Sequence, residues 1–180
     1  MFDLIKQFDI YLLIFINNYL SNPLFDIILP LFDNPKYWIL PLLLLWLIVI
    51  YTDKDKRYQL LILLPIVLIL TDVTGAYIKS FHLRERPWYE LGTDLVNHFG
   101  SKGGKHKSFP SNHAANVTGL AIVLSSIYYK YKNIFWGVAI TISISRIYIG
   151  VHYPIDIIAG AIIGITYGLL IIYFWNKLIR

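Results

Sequence analysis

Three short polar segments interrupt an otherwise apolar chain, and together they hold the groups that a phosphoryl-transfer site needs. The first runs from Lys79 to Arg86-Pro87, the second is Pro110-Ser111-Asn112-His113, and the third begins at Ser145-Arg146, passes through His152 and ends at Asp156. Lys79, Arg86 and Arg146 are cations suited to the nonbridging oxygens of a phosphoryl group whose charge shifts in the transition state. Ser111 is a good N-cap residue directly before an apolar run, so the helix it opens offers free backbone amides and the positive end of its dipole to an anion. His152 and Asp156 stand four residues apart, one helical turn, which lets the carboxylate hold one imidazole nitrogen while the other faces a substrate. His113, beside the cap, is placed to protonate a leaving oxygen and later to take a proton from water.

Each of these residues has a simpler use when taken alone. An arginine near the end of a membrane span snorkels, and a Ser-Asn pair before a helix serves as a cap. Their joint occurrence in three ordered segments favours chemistry, because charge near an apolar span is costly to keep. Ser80, Ser108, Tyr148 and Tyr153 are open between supporting the site and none of it, whereas His82, His98 and His106 read as loop surface.

In order and spacing the segments resemble the signature of the type 2 phosphatidic acid phosphatase superfamily: Lys, six residues, Arg-Pro; Pro-Ser-Gly-His; and Ser-Arg, five residues, His, three residues, Asp. Asn112 stands where that signature has glycine, and asparagine tolerates an unusual turn better than most residues. The resemblance implies that His152 attacks phosphorus, Asp156 orients it and His113 acts as general acid and then base. It also implies that Lys79, Arg86, Ser111, Arg146 and the amide of Asn112 hold the phosphoryl oxygens, without a metal or other cofactor. The scattered acidic residues likewise form no carboxylate or histidine cluster that reads as a metal cage.

The elements that must position these groups are membrane helices. With 180 residues, 57% of them hydrophobic and 15% charged, and a mean hydropathy of +0.57, the chain is too apolar for an ordinary soluble domain. Its length suits one all-α domain, a polytopic bundle. Apolar runs at 37–51, 58–79, 113–129, 134–149 and 154–175 give about five spans, with tyrosines and tryptophans such as Tyr37, Trp38, Tyr51, Tyr58 and Trp175 near their ends. Residues 1–34 form an amino-terminal interfacial helical segment, interrupted by Asp3, Lys6, Asp9, Asn17 and Asn18, and the amino-terminal third of the chain adds little to the resemblance. Its start lacks the leader pattern of a secretory signal and is expected to stay attached. Residues 35–180 form the catalytic bundle.

Lys54, Lys56 and Arg57, then Lys130 and Lys132, then Lys177 and Arg180 fall on one side if five spans alternate, and the positive-inside rule makes that side cytoplasmic. The polar segments then face the exterior or periplasm of a bacterial inner membrane. Gly160, Gly164 and Gly168 give the last span a smooth face, used for packing inside the bundle or as a homodimer seam. The absence of cysteine excludes disulfides, thiolate metal sites and cysteine nucleophiles. The formal charge of +5 is not gathered into a nucleic-acid-binding arm, so the expected partners are the bilayer and a phosphorylated lipid.

The resemblance implies hydrolysis of lipid A 1-phosphate, undecaprenyl pyrophosphate or phosphatidylglycerol phosphate. A transporter or binding protein for phosphorylated lipids and a haloperoxidase are the competing readings. Lys102, Lys105, His106 and Lys107 either read a second negative group on the substrate or form a solvated loop.

Overall fold

The computed structural model describes residues 2–101 and 103–178. Among them the regular structure is helical, apart from an isolated bridge between Arg84 and Lys107. In chain order the α-helices are α1 (Phe2–Ile14), α2 (Pro23–Ile28), α3 (Lys36–Thr52), α4 (Arg57–Lys79), α5 (Pro87–Glu90), α6 (Asn112–Ile127), α7 (Lys132–Tyr148) and α8 (Pro154–Leu178). A π-helical turn, Phe15–Tyr19, extends α1, and a 3-10 turn, Leu29–Phe32, extends α2.

The amino-terminal breaks fall where the prolines require them. Pro23 opens α2 behind the Asn22 cap, whose side chain accepts from the amides of Leu24 and Phe25. Pro35 precedes α3, and the axis of this segment turns by 100° between residues 3–19 and 23–32. Among the described residues two helices, α4 and α8, are long and apolar enough to cross a membrane by themselves, and α3 is a shorter apolar helix. The chain is therefore an all-α integral membrane protein.

Helix α6 is central, packing against α4, α7 and α8. The glycine stripe of α8 makes its close approach possible. A Cβ on Gly160 would lie 2.3 Å from the carbonyl oxygen of Ser111, and one on Gly164 would lie 2.2 Å from that of Ala115. Gly168 would collide with Ile122. The stripe is thus occupied by α6 within the chain, which is the bundle-packing use of the two that the sequence offers. A small-residue face is equally legible as either use until its neighbour is known.

The three basic connections share one end of the bundle. The Tyr128 hydroxyl donates to Asp53 Oδ2 at 2.7 Å, tying the α6–α7 connection to the α3–α4 connection. Lys79, Ser111, Arg146 and Asp156 all lie at the opposite ends of their helices. Arg180 lies outside the described residues.

Candidate functional site

Ser111 caps α6 as its residue type requires: its backbone is extended and its hydroxyl accepts from the Ala114 amide at 3.3 Å. The first amides of the helix, beginning with Asn112, are left without intrahelical acceptors. The Ser111 amide itself donates to the carbonyl of Asp156 at 3.0 Å, which brings the second and third polar segments together.

His152 and Asp156 are four residues apart, yet they are not on one helix. Pro154 starts α8, so His152 sits in the connection before it and Asp156 lies in the first helical turn. From there Asp156 Oδ2 accepts from the Tyr153 amide at 2.9 Å and lies 3.5 Å from His152 Nδ1. The carboxylate therefore caps α8 and faces the imidazole at once. Ser108 donates to the same oxygen at 2.6 Å. Both His152 and Asp156 are buried. Burial lowers the imidazole pKa to about 4 against the opposing pull of Asp156, which keeps the ring neutral and nucleophilic at pH 7.

Arg146, the third residue from the end of α7, is 2% exposed and pairs through Nη2 with Asp33 Oδ1. Its Nε and Nη1 are buried and donate to no described residue. Burial raises the Asp33 carboxyl pKa, but Arg146 and the Ser101 amide, 2.6 Å from Oδ2, more than offset it and hold it below the ordinary value. Arg86 is held by the carbonyls of Gly104 (3.2 Å, from Nε) and Val151 (3.4 Å, from Nη1). The Lys79 ammonium reaches across to the carbonyl of Pro110. His113 lies within electrostatic reach of Arg146, His152 and Arg86, as Lys79 does of Arg86 and Asp156. All eight sequence-predicted positions thus gather at one end of the bundle.

Of the supporting residues left open, Ser108 and Tyr153 contact Asp156 directly. Ser80 bonds to the Tyr77 carbonyl, and the Tyr148 hydroxyl pairs with Asp26, so both hydroxyls are directed to partners outside the cluster. His82 is exposed, and His106 faces Glu85 at 3.0 Å. His98 packs on Trp88 at 5.1 Å between ring centroids. Lys105 sits on the Tyr89 ring at 4.7 Å, and Lys102 lies outside the described residues.

Residues 1–34, which lie outside the three polar segments, supply partners to the site and its surroundings. Asp33 binds Arg146. Asn17 donates to the carbonyls of Tyr148, at 2.6 Å, and Asn97, at 2.8 Å. Asp9, 1% exposed, binds Arg84 at 2.6 Å. Arg84 in turn reaches Asp156 Oδ1 at 3.2 Å, a contact the signature does not contain. Polar residues spaced along an amphipathic segment read as a wet face. Only their burial distinguishes them, since their partners stand 75 (Asp9 to Arg84), 113 (Asp33 to Arg146) and 131 (Asn17 to Tyr148) residues away.

The chain is similar in sequence and fold to known phosphatases. A lipid A 4'-phosphatase from Bacteroides thetaiotaomicron is 32% identical over 99% of this chain and 81% of its own. The crystal structure of Aquifex aeolicus LpxE superposes with a TM-score of 0.75 at 30% identity, covering 91% of this chain and 93% of that one. A transmembrane phosphatidylglycerolphosphate phosphatase from Bacillus subtilis shares the fold, with a TM-score of 0.71 at 20% identity over 96% and 87% of the two chains. Residues 59–180, which carry every motif position, match the PAP2 superfamily, and the chain belongs to that family.

Proposed function

We infer that this protein is an integral-membrane phosphatase that removes phosphate from a lipid through a phosphohistidine intermediate. The observation that carries the reading is the meeting of a neutral buried His152, backed by Asp156, with the free donors of Arg146 at the capped start of α6. Lys79, Arg86, Arg146, Ser111 and the Asn112 amide hold the phosphoryl oxygens, whose transition-state charge they match better than that of the ground state. His152 Nε2 attacks phosphorus while the P–O bond to the lipid breaks and His113 gives its proton to the leaving oxygen. Water, deprotonated by His113, then attacks phosphorus, the P–N bond breaks, and inorganic phosphate leaves. Asp156 holds Nδ1 and stabilises positive charge on the ring.

The similarity to a lipid A 4'-phosphatase makes a lipid A phosphate monoester the first candidate substrate. Phosphate release from purified lipid A, undecaprenyl pyrophosphate and phosphatidylglycerol phosphate tests the reading. Turnover of at least one is expected, persisting in excess chelator and inhibited by orthovanadate. Binding of these lipids with no phosphate release would assign the site to transport or binding instead.

The architecture that fits this reading is one domain with five spans, α3, α4, α6, α7 and α8, preceded by an interfacial amino-terminal segment. Helix α6, with 16 residues, is about 24 Å long at 1.5 Å per residue, short for a bilayer core of about 30 Å. That length suits a helix whose start lies below the headgroups to form the site. The linked basic connections support a cytoplasmic location for that end and an outward, periplasmic site in a bacterial inner membrane. In this chain without cysteines, Thr93→Cys is expected to react with an impermeant thiol reagent in intact cells and Lys54→Cys only after permeabilisation. The reverse pattern would turn the site to the cytoplasm.

A further inference from the structure

The amino-terminal helix is joined to the nucleophile through two buried or half-buried charges that the family signature leaves unassigned. Asp9 uses both carboxylate oxygens. Its Oδ1 accepts the Ile155 amide at 2.9 Å, in the first turn of α8, and its Oδ2 pairs with Arg84 Nη2 at 2.6 Å. The other arm of the same guanidinium, Nη1, reaches Asp156 Oδ1 at 3.2 Å, and its Cζ lies 3.7 Å from the centroid of the Tyr153 ring. The Arg84 carbonyl accepts the amide of Ser108, whose hydroxyl donates to Asp156 Oδ2. Asp156 is thus held on both oxygens, by Arg84 on one and by Ser108 and the Tyr153 amide on the other. Asp9 fixes Arg84 and the helix turn that carries Asp156. Helix α1 grips the same place again, since Lys6 bonds to Glu90 at 2.8 Å and Glu90 to the Tyr153 hydroxyl at 2.7 Å.

We propose that Asp9 and Arg84 are positioning residues for the nucleophile: a relay from α1 that fixes the Asp156 carboxylate and divides its charge between Arg84 and His152, so setting the orientation and basicity of the imidazole. The proposal rests on the phosphatase reading. Asp9 lies outside residues 59–180, the span matched by the family, and a guanidinium, whose donors are fixed in one rigid fork, can bridge two carboxylates with one bond to each. Neither residue belongs to the phosphoryl-binding cluster; both line a cavity with Asp3, Lys6, Glu85 and Glu90 that none of His113, Arg146 and His152 borders.

The charged groups facing His152 are Asp156 from α8, Arg146 from α7 and Arg86 from the connection before α5, with His113 on α6. Arg84 bears on it through Asp156. The two ends of the relay must therefore act with opposite sign. Arg84→Gln leaves Asp156 with a stronger hold on the imidazolium, so the acid limb of kcat/KM moves to higher pH by about one unit. Asp9→Asn lets Arg84 bear more fully on Asp156, so the limb moves lower, by a few tenths of a unit on the same reasoning. The ionisation of the substrate phosphate is common to every variant and cancels in the comparison.

The experiment measures pH profiles of kcat/KM, with kcat and inhibition by inorganic phosphate, for full-length wild type, Asp9→Asn, Arg84→Gln and Arg84→Lys in detergent, using a phosphate lipid that the wild type turns over. The expected result is a 10- to 100-fold loss of kcat in Asp9→Asn and Arg84→Gln, phosphate inhibition within threefold of wild type, limb shifts of opposite sign and partial recovery in Arg84→Lys. Unchanged kcat, limbs that move in the same direction, or parallel losses of kcat and phosphate binding would overturn the proposal. In a variant that loses all activity, phosphate protection against thermal unfolding decides: protection retained supports positioning, and protection lost assigns the pair to folding. The phosphatase reading is judged separately, by the turnover of the wild type.

Discussion

Replacing His152 with alanine is expected to lower turnover of a phosphate lipid by roughly ten-thousand-fold or more while leaving the helical bundle intact. Loss of a covalent nucleophile removes the pathway itself, and the other site residues then act on a reaction that must proceed by direct water attack. The imidazole is also the group the fold has prepared most fully: buried, neutral above a pKa of about 4, and faced by Asp156 at 3.5 Å. Its backbone is held by the Arg146 carbonyl at 3.2 Å, so the substitution removes a side chain without removing the bond that shapes the connection. Steady-state phosphate release from purified protein, with circular dichroism as the control for folding, measures the effect. Turnover within tenfold of wild type would exclude His152 as nucleophile.

Arg146→Ala is expected to combine a catalytic with a structural loss. Its guanidinium supplies donors that no other described residue uses, and removing a preorganised cation from a phosphoryl site costs on the order of 10²- to 10³-fold in kcat. The same change strands the Asp33 carboxylate, whose side chain is 9% exposed, without its charge partner. Breaking one half of a buried pair costs about 3–5 kcal/mol. Asp33→Asn in the Arg146→Ala background should recover much of that stability and none of the activity, which separates the two losses. The pH dependence has a definite sign. The lowered pKa of Asp33 means that its contribution is present above the ordinary carboxylate value of 3.8 and is lost as pH falls below it. Thermal unfolding in detergent and kcat for the four proteins of the cycle check this; a double variant as unstable as Arg146→Ala would contradict it.

The cluster proposed as catalytic could be read from the chain because phosphoryl transfer demands particular side chains, and their spacing follows from where spans begin and end. Lys79, Ser111, Arg146 and Asp156 each mark a helix end, and apolar runs locate helix ends well. The grouping of His152 with Asp156 was legible for a reason that the structure modifies. Spacing by four put them on one helical face, whereas Pro154 begins the helix between them and Asp156 reaches back as a cap. Asp9, Asn17 and Asp33 were not legible. Each interrupts an apolar segment as a surface residue would, and the partner that buries it lies on a distant helix or loop. The same limit applied to Gly160, Gly164 and Gly168, where the packing partner rather than the small-residue pattern separates a bundle contact from a dimer contact.

The most direct test of the central claim is to trap the phosphorylated protein. In rapid-quench experiments with radiolabelled lipid phosphate, an acid-labile, base-stable phosphate should appear on the peptide that contains His152 within the first turnover. It should be absent from His152→Ala, and it should accumulate in His113→Ala when the leaving group is good enough to depart unprotonated. A turning-over enzyme that shows inversion at phosphorus and no phosphohistidine, or label on a residue other than His152, would contradict the mechanism.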